Sequence, residues 1–258
     1  MTTLLQVLGP HGAGKTTLMP GLAMALSWLL AAQEFQMLLL DAAVDQGLSR
    51  TALGMGNGAA PEVAPKTLTH LAQTLMEKPM DDDAARREYI DWAFHDLPAP
   101  MPADWLGAYC PGDQTPPGVE VMALGPLRER LPERLWQGLV YGLQRVVGNH
   151  DLVLIDEDHP LVRACFQKQG NLCSMLVATP QQDPATWPLL PEGETLPLVI
   201  NRFDGNPLHP GIVQGIEDGR LKLVGKLPVY GNQDAMQDQL VNDWRDILLR
   251  LNITLHSY

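Results

Sequence analysis

Short apolar runs punctuate the chain, and stretches with helical spacing separate most of them. TLLQVL (3–8) is apolar at nearly every position and ends at a glycine. That predicts a parallel strand buried on both faces rather than an edge strand with one wet face. Glycines then cluster at 9, 12 and 14, and a helix-period segment follows from Lys15 to about Gln33. Pro20 lies near its start, where a missing N–H is tolerated better than in the middle. MLLLD (37–41) predicts the next buried strand, completing a βαβ unit. Strands that alternate with helices imply a parallel sheet.

Between 55 and 118 the pattern breaks: glycines precede it at 54 and continue at 56 and 58, acids run from Asp81 to Asp83, and prolines crowd 95–117. Short helices are expected at about 67–77 and 83–95, then a loop from Leu97 to Gly118. A loop of about 20 residues is uncommon in a compact domain and marks a functional insertion or a mobile one. Regular patterning returns with VEVMAL (119–124), a helix at about 132–147, HDLVLID (150–156) and a helix at about 160–169. CSMLVAT (173–179), LPLVIN (196–201), LKLVG (221–225) and a final amphipathic helix from about Asp234 to Leu251 complete it. Residues 1–258 thus read as a single doubly wound α/β domain. The expected sheet is mostly parallel, with about seven strands, helices on both faces and an insertion-like segment at about 55–118.

Composition changes the picture in three places. The 18 Lys and Arg against 30 Asp and Glu leave a net charge of −12, which repels polyanions at long range and argues against strong nonspecific DNA binding. Cys110, Cys165 and Cys173 include no C-x-x-C pair, which removes the usual zinc spacing and points to a reducing, cytoplasmic setting. The longest apolar stretch, Leu18 to Ala32, contains Pro, Gly and Ser and falls short of the ~20 residues a bilayer span needs. No integral membrane association is therefore expected. The first residues, MTTLLQVLGPHG, carry no basic segment of a secretory signal.

The chemistry concentrates at Gly9-Pro10-His11-Gly12-Ala13-Gly14-Lys15-Thr16, which matches G-x-x-x-x-G-K-[ST] between a predicted strand and a predicted helix. In that context glycines let backbone N–H groups approach phosphate oxygens, and the helix N-terminus adds its dipole. Lys15 supplies charge to the terminal phosphates, and the Thr16 hydroxyl is a Mg²⁺ ligand. His11 reads as a surface loop residue. Asp156 ends the run Leu152-Val153-Leu154-Ile155 as a Walker-B acid would, and Asp41 ends the other buried strand in the same manner. Ligands collect at the carboxyl ends of strands in such sheets.

With these elements in place the chain resembles the ParA/MinD-type P-loop ATPases. The resemblance runs through GPHGAGKTT (9–17), LLLDAAVDQGLSRTALG (38–54), VEVMALG (119–125), HDLVLIDEDHP (150–160), MLVATPQ (175–181), LVINRFD (198–204) and GKLPVYGNQDAM (225–236). It implies ATP and Mg²⁺ as cofactors. Gly9, Gly12, Ala13, Gly14, Lys15, Thr16 and Thr17 would hold the phosphates, Asn201 and Arg202 would border the base, and Pro228 would pack against it. Thr16 and Asp156 would hold the metal, and Lys15, Asp41 and Asp45 would serve catalysis. The resemblance further implies a slow ATPase acting as a nucleotide switch, a homodimer formed on ATP binding, and a protein cargo or partner. A nucleotide-binding scaffold without turnover and an ATP-dependent ligase are the other readings of the same fold.

Two positions depart from the family. Its signature lysine, which reaches the partner's phosphates, falls on Pro10. Its second switch acid falls on Ala43, leaving Asp45 as the nearby substitute. Asn201-Arg202-Phe203-Asp204 also resembles the guanine motif Asn-Lys-x-Asp, but the same letters occur in ATP-using members, which favours ATP.

Overall fold

The computed structural model describes residues 2–30, 36–42, 67–77, 82–95, 97–100, 118–125, 131–166, 172–187, 195–231 and 233–251. The strands are β1 (Thr3–Leu8), β2 (Met37–Asp41), β3 (Ala99–Pro100), β4 (Val119–Ala123), β5 (Leu152–Asp156), β6 (Leu172–Ala178), β7 (Leu196–Phe203) and β8 (Leu221–Pro228). The helices are α1 (Lys15–Leu30), α2 (Leu68–Glu77), α3 (Asp83–His95), α4 (Glu133–Gly148), α5 (Pro160–Phe166), α6 (Pro210–Glu217) and α7 (Gln233–Leu251). The strands form one eight-stranded sheet in the order β3-β4-β2-β5-β1-β6-β7-β8. β2 runs parallel to β4 and β5, β7 runs parallel to β6 and β8, and β3 pairs antiparallel to β4. This is the expected α/β class, with one strand more than predicted. Two compact units divide the chain, one built from β2–β5 with α2–α5, the other from α1, Leu5–Leu8 of β1, β6–β8, α6 and α7.

In the first unit every residue of β2 and β5 is buried. Strands covered on both faces have no wet side to alternate with, which is why these segments read as unbroken apolar runs. Leu38, Leu40, Val153 and Ile155 share a core with Phe94 of α3, Leu139 and Leu143 of α4, and Phe166 of α5. Gly138 and Gly142 form a notch on α4. A Cβ at 142 would run into the Phe94 ring, and one at 138 would come within 2.6 Å of Ile90 Cδ1. Cys165 is buried in this unit, and that burial pushes its thiol up to about 12.

In the second unit Leu176 and Ala178 of β6 and Leu198 and Ile200 of β7 pack with Ile212 of α6. Helix α1 seats against α7 at Gly21, where a Cβ would lie 2.5 Å from Leu240. Trp244 of α7 is fully buried. β7 and β8 extend past their predicted ends, to Phe203 and Pro228, and these two residues are opposite each other in the ladder. Among the described residues no helix is long and apolar enough to cross a membrane.

Candidate functional site

The turn from β1 to α1 is built for close backbone approach. Gly12 and Gly14 hold φ values of 79° and 82°, in the left-handed region where an L side chain costs ~1–2 kcal/mol. A Cβ on Gly9 would strike the Val177 carbonyl, and one on Gly14 would sit 2.6 Å from Asn201 Nδ2. Larger residues at either place would force the loop open. Ala13 is fully buried and Lys15 is 5% exposed, while His11 and Gly12 face solvent.

For backbone N–H groups to converge on an anion, the intervening carbonyls must turn away and find donors elsewhere. They do. The Lys15 ammonium donates to the carbonyls of Gly9 (2.9 Å) and Pro10 (3.1 Å). The Ala13 N–H also donates to Pro10 (3.2 Å), and the Leu18 N–H donates to Gly14 (3.1 Å). Gln182 Nε2 donates to the His11 carbonyl at 3.1 Å. Asn201 Nδ2 donates to the Ala13 carbonyl at 2.8 Å, a buried bond between residues far apart in sequence. The two bonds to Gly9 and Pro10 hold the Lys15 charge at the loop. Thr16 is partly buried at the helix start and Thr17 is exposed.

Asn201 therefore has a structural task beyond the base contact expected of it: it clamps the loop. Its Oδ1 accepts the Arg202 N–H at 2.9 Å, and Arg202 itself takes φ 56°, a strained value for a non-glycine residue. Beyond it, Lys226 Nζ lies 4.0 Å from the centroid of the Phe203 ring, a cation–π contact, and Pro228 is exposed opposite Phe203. Asp204 accepts from both the N–H (3.1 Å) and the Nδ2 (2.7 Å) of Asn206, and these bonds hold its carboxyl below the usual range. Pro10, at the signature-lysine position, is buried.

In the other unit the register of β2 on β5 sets Asp41 beside Asp156, both fully buried, at the carboxyl ends of two parallel strands. Backbone bonds continue past them: the Ala42 N–H donates to the Asp156 carbonyl (3.1 Å) and the Leu124 N–H to the Asp41 carbonyl (2.9 Å). Asp45 and Ala43 lie outside the described residues. Glu157 follows at φ 79°, a second non-glycine outlier. His159 closes the turn. Its Nδ1 accepts the Leu161 N–H at 3.1 Å, and its Nε2–H donates to the Gly125 carbonyl at 3.3 Å. Burial is the main reason its pKa is lowered. Among the described residues no group of three or more His, Cys, Asp and Glu side chains is placed to hold a metal ion. Any metal here would need hydroxyl, phosphate or water oxygens as well.

Two residues with clear tasks, Gln182 and His159, were absent from the expected site. Neither carries a motif of its own, since each acts on backbone atoms that a sequence does not display.

The fold has known counterparts. The cell division ATPase MinD of Pyrococcus furiosus is similar over 97% of this chain and 98% of its own, at 15% identity and a TM-score of 0.51. The MinD cell division protein of Aquifex aeolicus is similar over 97% of this chain and 96% of its own, at 12% identity and the same TM-score of 0.51. No protein-family model and no curated protein matches the sequence. At these identities the likeness establishes the fold: a ParA/MinD-type P-loop architecture.

Proposed function

We propose that the protein is an ATP-binding nucleotide switch with slow hydrolysis, acting on a protein partner or cargo. The observation that carries this reading is the loop at 9–16, whose carbonyls at Gly9, Pro10, His11 and Ala13 have donors from Lys15, Gln182 and Asn201 and whose lysine is buried against it. Gly12, Ala13, Gly14, Lys15, Thr16 and Thr17 hold the phosphates, and Thr16 is the magnesium ligand the loop offers. The loop fits a phosphate group, because the positions where a Cβ would collide, Gly9 and Gly14, are the ones a phosphate loop keeps bare. Asp156 keeps its proposed role as the Walker-B acid, and Asp41 as its neighbour in register. Arg202 and Pro228 border the base. ATP is favoured over GTP because the acid that would read guanine, Asp204, is committed to Asn206. Held by Thr16, with Asp156 as the Walker-B acid, Mg²⁺ would supply charge neutralisation at the phosphates. Homodimerisation on ATP binding, a cytoplasmic setting and the absence of strong DNA binding complete the proposal.

The test is calorimetry with Mg·ATP. A charge-assisted hydrogen bond to phosphate is worth about 1.5–3 kcal/mol, so Lys15→Ala is expected to bind roughly 10- to 150-fold more weakly. Equal affinity in the two proteins overturns the assignment.

A scaffold that binds nucleotide without turnover is the second reading, favoured by the burial of Pro10 where a trans-acting lysine would stand. Without that charge, basal turnover slower than about one per minute is expected. Asp45→Ala is expected to lower residual turnover while sparing affinity. A parent rate of several per second without a partner would rule out both the scaffold and the slow switch.

A further inference from the structure

We infer that Gln182 is a positioning residue of the phosphate loop, holding the His11 carbonyl outward so that the loop's N–H groups stay turned toward the anion. The inference rests on the nucleotide-binding reading above and extends it to a residue far from the motif.

The side chain is itself held. Its Oε1 accepts the Thr179 N–H at 2.8 Å, which leaves only Nε2 to face the His11 carbonyl at 3.1 Å. That fixes the amide's orientation, because the flipped amide would set oxygen against oxygen and nitrogen against N–H. The turn that carries it is anchored on three sides. The Gln182 N–H donates to the Thr179 carbonyl (3.2 Å), and the His209 N–H donates to the Pro180 carbonyl (2.8 Å). Gln181 Nε2 donates to the Pro207 carbonyl at 2.6 Å. A bracket on a pinned turn transmits position, whereas a long side chain on a mobile loop does not.

The chemistry also fits the geometry of the loop. Within residues 9–14 the carbonyls of Gly9, Pro10, Ala13 and Gly14 already have donors from Lys15, Asn201 or the helix backbone. His11 sits at the exposed tip, next to Gly12 with its φ of 79°. Glycine at 12 lets the His11–Gly12 peptide rotate, and its carbonyl could then swing in and oppose a phosphate. Gln182 is the side chain that blocks that swing.

The experiment measures Mg·ATP affinity by calorimetry for the parent, Gln182→Ala, Gln182→Glu and Lys15→Ala, at pH 8 and pH 5, each variant expressed as a ratio to the parent at the same pH. Gln182→Ala is expected to bind about 3- to 10-fold more weakly at both pH values, the range of one lost neutral hydrogen bond. Gln182→Glu keeps the acceptor for Thr179 but presents a carboxylate to the His11 carbonyl. It is expected to lose more than the alanine variant at pH 8. At pH 5 its protonated fraction can donate again, and the ratio is expected to move back toward the parent. A role confined to folding would move melting temperature and leave no such pH rescue. Asp183 and His11 are the neighbouring titratable groups; because a carboxylate at 182 couples to them, the Gln182→Glu series is repeated with His11→Ala, which keeps the backbone carbonyl and removes the ring. If the parent fails to bind Mg·ATP, the nucleotide reading itself is wrong. If the parent binds and Lys15→Ala does not, while both Gln182 variants bind like the parent, the bracket is wrong and the nucleotide reading stands.

Discussion

The turn from β1 into α1 and the turn from β5 into α5 occupy equivalent places in a βα unit and treat the same problem in opposite ways. Each helix begins with backbone N–H groups that have no partner within the helix. The first turn answers with glycines and a lysine, and spends its side-chain amides on carbonyls, through Gln182 and Asn201. The second answers with a side chain of its own: the His159 imidazole accepts the Leu161 N–H, and it is buried while doing so. On the proposed reading the first helix start is left to an anion, whereas the second is closed by the chain itself. Position in a βα unit does not make an anion site. What decides is whether a local acceptor already fills it.

The largest expected effect comes from breaking the first arrangement. Asn201→Ala leaves the Ala13 carbonyl buried without its donor, which costs about 1–3 kcal/mol. In a chain of this size each kcal/mol lowers the melting temperature by about 2–4 °C. Nucleotide affinity is expected to fall with it, because the carbonyl is then free to turn inward. Asn201→Asp sharpens the result, since a carboxylate keeps the volume but has no N–H to offer. Unchanged melting in both variants, measured by calorimetric scanning, would remove Asn201 from the loop's support.

The contrast between the two turns also shows where the sequence was legible. The buried strands were, because a strand covered on both faces must be apolar throughout: MLLLD (37–41) coincides with β2, and HDLVLID (150–156) contains β5 and starts two residues before it. The loop at 9–16 was, because its glycines are demanded by the backbone: positive φ at 12 and 14, and no room for a Cβ at 9. β3 was not, since two residues, Ala99 and Pro100, are too few to show any period. Helix α6 was not among the expected elements: PGIVQGIE is only eight residues and carries a proline and two glycines, which weaken a helical signal. Its proline is in the first turn, where it is tolerated, and Gly215 is there because a Cβ would come within 2.7 Å of Leu221. Gln182, His159 and the clamping role of Asn201 stayed hidden for one reason: each bonds to a carbonyl or N–H set by the fold.

Breaking the second turn has a smaller effect with a defined sign. The His159 hydrogen bonds require a neutral ring, because Nδ1 must accept. Burial lowers its pKa in the folded protein, partly opposed by its bond to Gly125 and the charge of Asp158 and reinforced by Arg163. The unfolded chain then binds more protons than the native one below the ordinary histidine value of about 6.5. Stability from this group is therefore complete above that value and is lost as pH falls toward the lowered folded value. His159→Asn keeps an acceptor for the helix start but cannot titrate there. The parent's melting temperature is expected to fall between pH 7 and pH 5 by more than that of the variant. Parallel pH profiles for the two proteins would show that the ring is not held neutral.

The smallest effect is expected at the turn after β7, which offers a third treatment of a helix approach. There α6 is capped by His209, whose Nδ1 accepts the Gly211 N–H at 3.1 Å, and the acid of the guanine-like motif lies upstream of that cap. Asp204 has both carboxylate oxygens occupied by Asn206, and it is exposed. An acid that reads guanine has to offer those oxygens to the base instead, and nothing in its surroundings forces it to let go of Asn206. Asp204→Ala is therefore expected to change ATP affinity by less than about 2-fold, within the small range of surface substitutions. The ratio of ATP to GTP affinity is expected to stay the same. Competition binding with the two nucleotides measures both quantities at once. A parent that prefers GTP, with the preference abolished in Asp204→Ala, would mean that the carboxylate exchanges Asn206 for the base and that the protein reads guanine.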